Sequence, residues 1–222
     1  MNMQLLRMVI PFAGFYASAW DDAMDSELDA LVIWLKTSDS RFEDYPDADI
    51  HDAVFAEIDW DTVREALARA YADAFWEWLR PQLAVSGEAV EWRYAELVSP
   101  REYNGLNDRI FVNVSPALVD ALVLQTDGAT LGIVIKDRFT SRSGFVSFYS
   151  NDMDDWFKTP VTQWDHNQLG TLLLAWMETV GADVDFRERC IMEDLWYVFS
   201  DAMAVSADAV YARLAGHAAH ES

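Results

Sequence analysis

Apolar residues recur along this chain at two spacings, which divide it into strands and helices. Gln4 to Phe12 is a short apolar run that reads as a strand ending at Pro11, whose nitrogen cannot donate to a ladder. Gly14 then offers a turn. Met24, Leu28, Leu31 and Leu35 follow at spacings of four, three and four, one face of a helix that Asp21 or Asp22 can cap. Its other face carries Asp25, Asp29 and Lys36. Thr37 to Asp52, with Pro46 and six acids, reads as a loop. Thr62-Val63-Arg64-Glu65 has the spacing of a capping box, so a helix starts near Asp61 or Thr62. Val63, Leu67, Ala70, Tyr71, Ala74 and Trp78 form its inner face, and Pro81 marks its end.

The middle of the chain changes period. Val90 to Leu97 alternates weakly as a strand, and Ile110, Val112 and Val114 alternate with Phe111 and Asn113 in the next. Ser115-Pro116 opens a helix, serine as cap and proline at its first position, with Leu118, Val119, Leu122 and Val123 as its apolar face. Thr130 to Lys136 is rich in β-branched residues and reads as a strand, which would close a strand-helix-strand crossover. Gly144 to Ser150 reads as one more strand. Helices return from Trp164: Asp165 caps, Leu169, Leu172, Leu173, Trp176 and Val180 face inward, and Gly181 stops the first of them. A second helix is expected over Asp183 to Met203, and Ser206 caps a short last one.

These elements predict one α+β domain over residues 1–222. It has an acidic helical part at 18–85, a central four- to five-stranded sheet, mixed or antiparallel, at 88–150, and C-terminal helices at 164–215. Helices from both ends of the chain pack on the sheet. An apolar share of 52%, with ten Trp and twelve Phe, is enough for a sizeable core. No apolar run is long enough to suggest a membrane span, and the N-terminus lacks a signal-peptide pattern. A single cysteine, Cys190, excludes an internal disulfide and fits a reduced, cytoplasmic protein with a buried thiol.

Charge changes the picture most. The formal net charge is −22. Residues 18–61 hold fourteen acids against Lys36 and Arg41, whereas 98–149 hold five acids and five bases and are neutral. With only three lysines in the chain, direct binding to a nucleic-acid backbone is disfavoured, since phosphates need cations. The acidity fits a face presented to a basic partner, adaptation to high salt, or a solvated surface with no role beyond solubility.

Candidate chemistry is sparse. Asp152, Asp154, Asp155, Asp165 and His166 are the best metal-ligand cluster, yet they lack the spacing of a calcium loop, and capping and turns account for them; no metal and no cofactor is expected. No nucleophile elbow or phosphate loop is present. Arg101, Arg109, Arg138 and Arg142, with His166, could grip a carboxylate or phosphate. The same arginines could equally pair with Glu102, Asp108 and Asp137.

Ile10-Pro11-Phe12-Ala13-Gly14-Phe15-Tyr16, Ser99-Pro100-Arg101-Glu102-Tyr103-Asn104 and Asn107-Asp108-Arg109-Ile110-Phe111 resemble a group of small acidic proteins of bacteriophages and prophages, over about residues 8–170. The resemblance implies a host bacterial cytoplasm. It also implies a role similar to anti-restriction and anti-CRISPR inhibitors, some of which imitate DNA charge; it carries over no catalytic residue. The expectation is therefore a non-enzymatic inhibitor of a basic nucleic-acid-binding host protein. It would act through Asp22, Asp25, Asp29, Glu43, Asp44, Asp47, Asp49, Asp52, Asp59 and Asp61. Two alternatives stand beside it. One is an enzyme acting on a small anionic or nucleotide ligand through the central arginines with Asp165 and His166. The other is an assembly protein that forms an oligomer through exposed aromatics.

Overall fold

Three short apolar stretches build the sheet: β1 (Leu6–Ile10), β2 (Trp92–Val98) and β3 (Arg109–Val114). The computed structural model describes residues 4–11, 18–83, 90–98, 109–143, 159–181 and 195–218. β3 lies in the middle and runs antiparallel to both neighbours, in the order β1-β3-β2. Paired residues share a face. Leu6, Val114 and Trp92 therefore form one row, Met8, Val112 and Tyr94 the next, and Ile10, Ile110 and Leu97 the third. Arg7, Val9, Glu96, Phe111 and Asn113 lie on the opposite face.

Each face carries a helix. On the first, α3 (Trp60–Leu79) packs against β2. Trp76 and Phe75 stack on Trp92 with ring centres 5.4 and 5.8 Å apart, and the Trp92 indole N–H donates to the Ala72 carbonyl at 3.1 Å. The aromatic cluster of α3 thus fills the space between helix and sheet. Tyr71, fully buried, donates to the Pro11 carbonyl at 2.8 Å and ties α3 to the end of β1. On the second face, α6 (His166–Thr179) crosses β1. Asp165 caps it by accepting from the backbone N–H groups of Asn167 and Gln168, both at 2.8 Å, while the Gln168 side chain accepts from the Asp165 N–H. The expected cap is present, and Gly181 follows the helix with φ 63°, a left-handed conformation suited to glycine.

The sheet has three strands among the described residues, not four or five. Thr130 to Lys136 belongs to a helix, α5 (Gly128–Ser143), and the expected crossover is absent there: β3 is followed by α4 (Pro116–Gln125) and then α5. Two observations explain the correction. Asp127 accepts from the Thr130 backbone N–H at 2.8 Å and from its hydroxyl at 3.0 Å, which supports a helix start. Leu131, Val134 and Ile135 are buried, a spacing of three and four, while Ile133 is 58% exposed. A strand would have buried Leu131, Ile133 and Ile135 together. Helical packing overrides the β-branched composition here. The strand expected over Gly144 to Ser150 lies outside the described residues.

Other boundaries also shift. Ser115 makes no side-chain cap to α4; its buried hydroxyl accepts from the Glu91 N–H at 3.0 Å, and its own N–H donates to the Glu91 carbonyl, joining the start of β2 to the end of β3. The cap of α3 is Asp59, which accepts from the Thr62 N–H at 3.2 Å and hydroxyl at 2.8 Å, rather than Asp61 or Thr62. The acidic segment expected as a loop holds a 3-10 turn (Ser40–Phe42) and the start of α2 (Asp47–Glu57), so only part of it is irregular.

Helices from both ends of the chain do pack together. α1 (Ser18–Ser38) lies against α2. Of the C-terminal helices, α7 (Trp196–Ala202) meets α3, and α8 (Ala207–Ala218) meets α2. Tyr211 of α8 sits edge-on to Phe42 and Tyr45, and Arg213 bonds Glu57 at 2.6 Å. Of the helix expected over Asp183 to Met203, the described part is α7. One apolar cluster runs from Met8 through Leu28, Tyr71 and Val112 to Trp176 and Val210. At about 1.5–3 kcal/mol per buried large side chain, this cluster is the main source of stability.

Candidate functional site

α1 and α2 carry most of the acids singled out from the sequence. On α1, Leu28 and Leu35 turn inward, which leaves Asp25 and Asp29 exposed one turn apart. On α2, Ile50, Ala53 and Val54 are buried, which leaves Asp47, Asp49 and Asp52 exposed. Asp47 and Asp49 stand in the first turn, where the helix dipole favours carboxylates. Glu43 and Asp44 are exposed in the connection between the two helices, and Asp59 and Asp61 at the start of α3. All nine of these acids are exposed. The side chain of Asp22 lies outside the described residues.

Both bases of this region are engaged. Lys36 forms an ion pair with Asp47. Arg41 bonds Asp39 at 2.5 Å and reaches Asp208 of α8 at 2.8 Å. The Asp39 carboxylate, then that of Asp208, hold the guanidinium above its ordinary pKa, and Arg41 in turn holds Asp39 below its own. By contrast, among the described residues no ion pair or side-chain hydrogen bond reaches Asp25, Asp29, Glu43, Asp44 or Asp49. Asp59 differs from them: its carboxylate caps α3, and the Thr62 hydroxyl and N–H hold its pKa down. Its geometry is that of a structural group.

The structure brings three of the acids to one place. Asp29, Asp47 and Asp52 line a groove of about 440 Å³ between α1 and α2, together with Val32, Ile33, Ala48 and His51. Val32 is buried, whereas Ile33 is 63% exposed. The half-buried His51 places Nδ1 3.8 Å from Asp52. Neither Ile33 nor His51 was legible as a site residue. Ile33 could have been found on a helical wheel, since it stands four residues after Asp29 and off the Met24–Leu28–Leu31–Leu35 face.

The central arginines are reached only in part. Arg101 lies outside the described residues, as do the side chains of Arg138 and Arg142, whose backbones belong to α5. Arg109 and His166 do meet, through Asn167: Arg109 donates to its side-chain oxygen at 3.3 Å, and the His166 ring stands 3.3 Å from its side-chain nitrogen. His166 also packs edge-on against Phe111, with ring centres 5.2 Å apart. On the other strand edge Arg7 lies over the same Phe111, 4.2 Å from its centre, and pairs with Glu96. The Arg109–Asn167 and Phe111–His166 contacts hold the start of α6 against the sheet.

Among the described residues no group of three potential ligands could hold a metal, and no single helix is long and apolar enough to cross a membrane. No protein-family model matches the chain, and neither a curated protein nor a solved structure shows a significant likeness to it.

Proposed function

We propose that this chain is a non-enzymatic inhibitor that binds a basic nucleic-acid-binding protein of a bacterial host, of the anti-CRISPR or anti-restriction kind, through the acidic surface of α1 and α2. The observation that carries the reading is the state of the charges there. Lys36 and Arg41 are engaged by local acids, while Asp25, Asp29, Glu43, Asp44 and Asp49 stand exposed without cationic partners among the described residues. A surface of this kind offers carboxylates where a nucleic-acid-binding groove takes phosphates. Its field would speed encounter and make binding depend on salt. The partner's arginines and lysines supply what this chain lacks, and nucleic acid itself would be repelled.

Two measurements test the proposal. The tagged protein is incubated with bacterial lysate, washed at low and then high salt, and the released proteins identified by mass. A basic nuclease, helicase or CRISPR component released by salt, and displaced by added duplex DNA, is the expected result. Reversing Asp25, Asp29, Glu43 and Asp49 to Lys should abolish that capture while the thermal unfolding curve stays cooperative. Capture that survives both the reversal and the high-salt wash would exclude the charge mechanism.

A second reading, an enzyme acting on a small anionic ligand, has one observation in its favour: Arg109 and His166 converge on Asn167. It is the weaker, because both side chains are held by contacts within the chain and Asp165 places a carboxylate at the same helix start.

A further inference from the structure

The groove between α1 and α2 has features that a solvated acidic surface does not need. Its lining combines acids with apolar side chains, of which Val32 is buried and Ile33 largely open to water. The two ends differ in charge. Lys36 and Asp47 neutralise each other beside the connection that joins the helices. Away from it stand Asp29 on α1 and Asp52 on α2, with Asp25 one turn beyond Asp29. From end to end the groove therefore offers a neutral pair, an exposed apolar side chain, and a set of carboxylates.

We propose that this groove docks a short basic segment of the partner protein, which lays one apolar side chain over Ile33 and directs arginine or lysine to Asp29 and Asp52. The inference rests on the inhibitor reading and gives the partner's contact its chemistry. Charge complementarity selects a cationic occupant, and Ile33 selects one with an apolar face. A polypeptide fits better than a small organic cation. Small-molecule sites enclose most of their ligand, whereas a groove whose lining includes a side chain left 63% exposed is an open trough. Helix-in-groove docking lays the apolar face of an amphipathic segment into a trough of this kind.

The test uses two fluorescent 12-residue peptides of equal charge, one with leucine and arginine at helical spacing and one with serine in place of leucine. Fluorescence anisotropy against the full chain should show the leucine peptide binding at least fivefold more tightly. Ile33→Ser should weaken the leucine peptide about tenfold and leave the serine peptide unchanged. The double variant Asp29→Asn, Asp52→Asn should weaken both, while Asp73→Asn with Asp120→Asn, exposed on α3 and α4 rather than on α1 and α2, should change either by less than twofold. Thermal unfolding of each variant confirms that the exposed substitutions leave the fold intact. Equal affinity for the two peptides, no effect of Ile33→Ser, or full competition by free agmatine at similar affinity would each overturn the proposal. Failure here with salt-sensitive capture of a lysate partner retained would remove the groove and leave the inhibitor reading standing. Groove binding without such a partner would do the reverse.

Discussion

Gly170 of α6 approaches Val9 of β1 so closely that a β-carbon on Gly170 would stand 2.6 Å from the Val9 carbonyl oxygen. Alanine within a helix ordinarily gains about 1 kcal/mol over glycine. Here the obstacle is backbone, which cannot swing aside as a side chain would. Overpacking costs about 1–3 kcal/mol, so the balance is destabilising. Gly170→Ala is expected to lower the midpoint of urea unfolding, and trimming Val9 to Ala in the same chain should not restore it. An unchanged or raised midpoint would show that α6 can lift off β1 without cost.

Asp127 begins α5 by accepting two bonds from Thr130, and these bonds hold its pKa below the ordinary 3.8; the Thr130 N–H is the larger cause and its hydroxyl the next. A carboxylate whose folded pKa is depressed stabilises the fold above its unfolded pKa and loses that contribution as pH falls through the folded value. The advantage of the wild type over Asp127→Asn should therefore be complete at pH 6–7 and shrink below pH 3.8. Chemical denaturation of both proteins at several pH values checks this. A constant gap between them would mean that the bonds do not depend on the charge.

Arg7 and Glu96 come from the two outer strands and meet across Phe111 of the middle one, with both side chains about half exposed. Such a pair is worth about 0.2–1 kcal/mol, and the cation over the ring about 0.5–1 kcal/mol more. A double-mutant cycle of Arg7→Ala and Glu96→Ala should give a coupling in the first range that diminishes at 0.5 M NaCl. Arg7→Ala should cost less in a Phe111→Leu background than in the wild type. Zero coupling at low salt would leave the pair as a contact of no energetic weight.

Long periodic elements were legible because burial and period agree. Leu28 and Leu35 on α1, and Leu169, Leu172, Leu173 and Trp176 on α6, are buried as their spacing predicts, and Asp165 caps where expected, whereas Val180, expected on the same face, falls past the last residue of α6 and is exposed. The failures share a physical cause. Between Thr130 and Lys136 a short run of β-branched residues fits two periods, and the spacing of Leu131, Val134 and Ile135 was outweighed by composition. In the acidic segment, Pro46 and its neighbouring carboxylates suggested a loop, although proline before a helix and acids in its first turn favour helix formation. The individual acids could be named from sequence, but the groove could not. Its lining comes from two helices, which pack on each other while burying residues such as Leu28 and Ile50 that carry no functional signature.

The register of the sheet has a consequence for how the chain acquires its shape. β1 finds its partner at the far side of α1, α2, α3 and β2, since Leu6 pairs with Val114. Local helices form within microseconds, whereas closing so long a loop carries an entropic cost before any strand contact rewards it. During synthesis the first strand therefore leaves the ribosome long before its template exists. In that interval the like charges of residues 18–61 keep nascent chains apart, so the same acidity that would attract a basic partner also guards an unpaired apolar strand from its own copies.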